Sequence, residues 1–309
     1  MSLTRCLIAV ACLTVMSPGL EAASPIRPGF DSATLPAMDD GSSSAQSLGF
    51  TINFFGQSFA SVYVNSNGNI TLGSPLSDFA PVPLGQLNSM MIAPFFADVD
   101  TTSTGTIQHG TGTVDGRPAF AATWRGVDFF GGRGNLLNDL QMLLIDRSDT
   151  GTGNFDVEFN YGQIAWESGD FNGGIGGRGG SSARVGFTNG TAVPGTFYEL
   201  PGSGVPGALL DDGPLETALL ANSLNSDRLG RYRLFARDGI LTSADPAAPE
   251  TAPDIVISPP GPLPAPGMIG VPEPGTLTLA GLGVTMLAVI PRQHQRSRRR
   301  RELSQTFLC

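Results

Sequence analysis

Asp98 and Asp100 are the residues of this chain whose type and spacing most invite chemistry. They close the stretch Met91-Ile92-Ala93-Pro94-Phe95-Phe96-Ala97, whose large side chains gain roughly 1.5–3 kcal/mol each on full burial. A carboxylate resists burial without a partner, so the segment is expected to run out of a core and end at an acidic rim. Calcium takes about six to eight oxygen ligands, and Asp98 and Asp100 could supply two, with Asp128, Asn65, Asn67 and Asn69 as further donors. Equally, the two aspartates could cap a turn through backbone N–H groups while the asparagines occupy left-handed turn positions. The sequence leaves both readings open; Asp98 and Asp100 are the candidate calcium ligands, and no other cofactor is expected. Asn65, Asn67 and Asn69 imitate the start of an EF-hand loop, but the downstream glutamate and flanking helices are missing.

Catalysis is tested by elimination. Between residues 24 and 270 there is one histidine, His109, and neither lysine nor cysteine, so thiol and Schiff-base chemistry are unavailable and any serine triad must use His109. His109 sits beside Gly110-Thr111-Gly112 and reads as an ordinary surface histidine. Asp156 and Glu158 share a strand face roughly 7 Å apart, near the separation a glycosidase uses. A solvated strand face looks the same, and that is the favoured reading. Gly174-Ile175-Gly176-Gly177-Arg178-Gly179 matches the dinucleotide fingerprint only formally, without strand and helix around it. Trp124 and Trp166 could form a carbohydrate platform or fill a core.

Charge narrows the partners. The formal net charge is −9, yet six of the eighteen basic residues lie within the last eighteen positions. Between residues 24 and 270, eleven arginines face twenty-four carboxylates, an excess of thirteen negative charges. Such a body repels nucleic acid, which is excluded as a partner. The cysteines are Cys6, Cys12 and Cys309, so no disulfide is available to the body.

The elements that must position these groups are short strands. Phe50–Phe55, Ser61–Val64 and Ile70–Leu72 flank Gly56 and Asn65-Ser66-Asn67-Gly68-Asn69, and Thr106–Val114 and Ala119–Trp124 flank Asp115-Gly116. Leu140–Ile145 is almost continuously apolar and should be central. Phe155–Tyr161 alternates without exception, the pattern of a strand wet on one face. Arg184–Phe187, Phe197–Leu200 and Tyr232–Arg237 complete the set, Gly169–Ser182 is a glycine-rich loop, and Leu215–Leu220 is the single helical stretch. The expected fold is all-β, an antiparallel β-sandwich over 48–241, preceded by an unstructured leader at 24–47.

Both ends carry addresses. Arg5, the apolar run Cys6–Met16 and the small residues to Ala23 read as a signal peptide over 1–23. A proline-rich stalk spans 242–270. Pro272-Glu273-Pro274, the apolar run Thr276–Ile290 and the arginines Arg296 to Arg301 then resemble, in that order, the PEP-CTERM sorting signal of Gram-negative bacteria. The resemblance implies an exosortase-type enzyme as processing partner, and a hydrophobic helix at 276–290 that contacts the inner membrane before processing. It assigns 271–301 to the signal and leaves 302–309 as a tail.

The body resembles the NIDO domain, a nidogen-like extracellular module. The residues that carry this are Tyr63–Ile70, Ile92–Asp100, Leu140–Ile145, Phe159–Trp166 and Arg184–Phe187, in the family's order. Departures are Phe96, where tryptophan is expected, and the glycine-rich insertion. The resemblance implies a non-catalytic extracellular module of cell–matrix adhesion, with an extracellular matrix or polysaccharide component as partner. A carbohydrate-binding or carbohydrate-active extracellular protein is the alternative.

Overall fold

The computed structural model describes residues 24–245, and within them every regular element except two single 3-10 turns is a strand. The expected signal peptide, the expected stalk from residue 246 onward, the expected sorting signal and helix at 271–301 and the tail all lie outside the described residues. Among the described residues no helix is long and apolar enough to cross a membrane.

The strands, in chain order, are β1 (Ala33–Thr34), β2 (Gln46–Phe54), β3 (Gln57–Asn65), β4 (Asn69–Leu72), β5 (Met90–Phe96), β6 (Val99–Asp100) and β7 (Thr106–Val114). They continue with β8 (Arg117–Phe129), β9 (Asn138–Asp146), β10 (Phe155–Ile164), β11 (Arg184–Thr188), β12 (Phe197–Glu199), β13 (Arg231–Arg237) and β14 (Ile240–Thr242). Eight form one sheet in the order β1-β7-β8-β9-β10-β13-β14, with β6 on β8; six form the other, β12-β11-β5-β4-β3-β2. Every ladder is antiparallel. The expected all-β antiparallel sandwich is therefore present, its two sheets meeting over a shared core.

Period-2 alternation decides what enters that core. From β10, Phe155, Val157, Phe159 and Tyr161 point inward, and from β9, Leu140, Met142 and Leu144 meet them. Ile92 and Phe95 of β5 close the core from the other sheet. Leu143 and Ile145 face outward yet are also buried, as the unbroken apolar run of a central strand requires. Their cover is Phe30, 4% exposed, lying over Ala119 and Ala121.

That cover corrects the expectation of an unstructured leader at 24–47. The segment contributes β1, pairs Ala33 with His109, and bridges Asp39 to Asp100 and Ser42 to Asn65. Its composition is poor in apolar residues because a segment laid across an existing sheet needs one aromatic anchor and several polar ones, with no hydrophobic face of its own. Leu215–Leu220 is also corrected: it forms turns, with Ala218 donating back to the Pro214 carbonyl, and propagates no helix. A lone turn costs more backbone entropy than its single hydrogen bond returns.

Candidate functional site

The turn Asn65-Ser66-Asn67-Gly68-Asn69 locks the acidic end of β5 in place. Gly68 has φ +67°, and a Cβ there would collide with the Phe95 carbonyl, so glycine is required for this approach. Asn67 donates to Asp40 Oδ1 at 2.8 Å and accepts from the Val99 amide at 2.9 Å. Asn65 donates to Asn69 Oδ1 and Thr71 Oγ1, and Asn69 to the Asn67 carbonyl. The asparagines are thus buried turn fasteners. Asp128 likewise serves backbone, accepting from the Phe129 and Gly134 amides.

Asp98 and Asp100 are separated in role. Asp100 accepts from the Thr102 amide at 2.7 Å and caps a turn. Asp98, placed by the Phe130 amide on its own carbonyl, is 2% exposed, where an exposed rim was expected. One carboxylate oxygen accepts from Asn172 Nδ2 at 3.0 Å. Gly169 packs against it so closely that any Cβ would strike the carboxylate.

The partners the structure brings to Asp98 are Asp39 and Asp40, from the leader. Carboxylate oxygens of Asp39, Asp40 and Asp98 lie within 4.8 Å of one another. Together with Phe79, Phe130 and Phe171 they line a cavity of about 220 Å³. Burial, and then the charges of Asp40, Asp39 and Asp100, push the Asp98 carboxyl up to about 7. Burial also raises Asp39, followed by the charges of Asp40 and Asp100. Three carboxylates without an arginine form a focus of negative potential, and what such a floor can do is hold a cation.

The remaining sequence candidates resolve as structure. Asp156 and Glu158 are each 1% exposed, which corrects the solvated-face reading: arginines cover them. Glu158 accepts from Nε and Nη2 of Arg27, at 2.6 and 3.0 Å, with Arg231 at 3.2 Å, while Asp156 meets Arg147, Arg233 and Arg237. Burial alone would raise Glu158, but the Arg27 hydrogen bond and the Arg231 charge prevail and hold it below the usual range. A general acid of glycoside hydrolysis needs the opposite shift. His109 lies within β7 rather than on the surface, 6% exposed and tilted over Phe120, and burial lowers its pKa. Trp124 and Trp166 are fully buried, donating to the Ser66 and Val127 carbonyls, and so form no platform.

Asp39, Asp40, Phe79, Phe130 and Phe171 were not singled out by sequence. A signal existed: Phe171 standing alone in a polar, glycine-rich stretch, and the Asp39-Asp40 doublet before Gly41. Phe171 is 74% exposed and Phe130 38%.

Among known proteins, the family profile described as NIDO related matches residues 23–209. The chain belongs to the NIDO-related family. The match takes in the leader and the whole candidate site, and leaves β13 and β14 beyond its end. Alpha-tectorin of Homo sapiens is 34% identical over 197 residues, 55% of this chain and 9% of that protein, and alpha-tectorin of Gallus gallus matches to the same extent. Nidogen of Drosophila melanogaster is 28% identical over 179 residues, 50% of this chain and 12% of that protein. This chain thus spans only a small part of the length of these relatives. No solved structure matches it.

Proposed function

We propose that this NIDO-related chain is an exported, non-catalytic adhesion or structural protein of the bacterial surface or extracellular polymer, binding a matrix component. The observation that carries the reading is the family match over residues 23–209. The candidates for acid–base work that the sequence offered agree with it: His109 is buried, and Asp156 and Glu158 are occupied by arginines. The acidic cavity supplies a binding end on a rigid scaffold, where loops converge from distant parts of the sequence.

Delivery would follow from the two ends. A signal peptide directs export, the 276–290 helix holds the chain briefly in the inner membrane, and an exosortase-type enzyme processes it at Pro272-Glu273-Pro274. The test is intact mass on membrane, surface and medium fractions of the native host. A species starting near Ser24 and ending near Pro272 to Pro274, outside the inner membrane, is expected. A species that keeps 276–309 in the membrane fraction would overturn the sorting reading.

A further inference from the structure

We propose that the Asp39–Asp40–Asp98 cavity with its phenylalanine wall binds an alkylammonium group, the side chain of a lysine presented by a partner polypeptide. This deepens the adhesion reading by naming what the module grips, and depends on it only for the biological setting.

The floor of the cavity lacks its counter-charge. Among the described residues none of the nine ion pairs involves Asp39, Asp40 or Asp98. The side chains that donate to them are amides, Asn67 to Asp40 and Asn172 to Asp98. Asp39 Oδ1 is buried with no hydrogen-bond partner at all. An orphaned acceptor and a buried carboxylate served by a single amide are costly unless something from outside completes them.

The wall says which cation. Phe171 stands edge-on to Phe79 at 5.5 Å and to Phe130 at 6.4 Å, so three phenyl rings gather around one acidic floor. A divalent metal needs oxygens on most sides and gains nothing from carbon. An ammonium group has three N–H donors for three converging carboxylates, and it is attracted to phenyl faces. The methylenes of lysine then lie along the rings, covering surface that is otherwise wet. An amino sugar carries hydroxyls next to its nitrogen, which this wall would leave unpaired. A guanidinium is a planar fork better matched to a single carboxylate than to three oxygens within 4.8 Å of one another. The sequence contains no lysine, so a second copy of it cannot supply a lysine side chain.

A polycation would adhere to so acidic a body without any site, so the probe must be monovalent. Nα-acetyl-lysine amide, titrated into the purified full-length chain by calorimetry, is expected to bind saturably at one site. Asp98→Asn should weaken it by about tenfold or more. Phe171→Ala removes an exposed ring, leaves the core intact, and should weaken it about three- to tenfold. The norleucine amide, which lacks the ammonium, should not bind. The proposal is overturned if the lysine probe shows no saturable binding, or if both variants bind it as the parent does. It is also overturned if calcium, glucosamine or Nα-acetyl-arginine amide occupies the site more tightly. A chain that binds the probe but stays in the inner membrane keeps this inference and ends the adhesion reading; one that reaches the surface and ignores the probe does the reverse.

Discussion

Two places in this sandwich bury carboxylates, and they treat them in opposite ways. On the outer face of β10, Asp156 and Glu158 are covered by Arg27, Arg147, Arg231, Arg233 and Arg237. At the end of β5, Asp98 is buried to the same degree and meets only an amide and two more aspartates. A charge that fastens the fold is neutralised within the chain, because removing either partner strands the other in a dry site. A charge kept for a ligand stays uncompensated until the ligand arrives, and the fold is less stable for it.

The comparison can be broken by substitution. Asp156→Ala leaves Arg147, Arg233 and Arg237 facing one another, and should cost about 3 kcal/mol by urea denaturation, the lower end of the range for a broken buried pair because those arginines are partly exposed. Destabilisation no larger than that of an ordinary surface change would mean that the network is decorative. Glu158→Gln tests the sign with pH. The native Glu158 is held below its unfolded value, so its contribution is present above the ordinary glutamate value of 4.5 and lost as pH falls through the lower native one. The parent should lose melting temperature on acidification in that window, and the variant should lose much less.

Asp98 gives the opposite slope. Its native value of about 7 lies above the ordinary aspartate value of 3.8, so the contribution is fully present below about 4 and lost as pH rises through 7. Melting temperature of the parent should therefore fall between pH 5 and pH 8, while Asp98→Asn, which carries no charge to bury, should stay flatter and be the more stable protein at pH 8. Parallel curves for the two would remove the idea of an uncompensated site. The smallest effect sharpens the contrast: Arg117 and Asp149 form an exposed pair, side chains 41% and 47% accessible, so Arg117→Ala should leave the denaturation midpoint unchanged.

Much of the fold was legible because alternation is a local signal. Phe155 to Tyr161 reported their inward face, and Leu140–Ile145 its central position, without knowledge of any partner. What alternation cannot report is the cover laid over an outward face. Asp156 and Glu158 read as solvated because their arginines come from residue 27, from residue 147 and from 231 to 237. The leader was misjudged for a related reason, since its order comes from Phe30 docking on a sheet built much later in the chain. Of the candidate site, one aspartate of three was visible, Asp98. The other two required knowing that Asp39 pairs with Asp100, a contact across about sixty residues that no spacing rule contains.

The docked leader also fixes an order of events in the life of the chain. Arg27 closes on Glu158 and Asp156 on Arg237, while Pro25 accepts from Arg231, so the earliest residues of the domain are fastened by some of its latest. Contacts of such long sequence separation form slowly: Arg27 must wait for β10, and Pro25 and Asp156 for the arginines of β13. The leader is therefore obliged to stay undocked until most of the domain has emerged. An undocked leader is also what a translocation pore can accept, so the proposed export would leave completion of the fold to the far side.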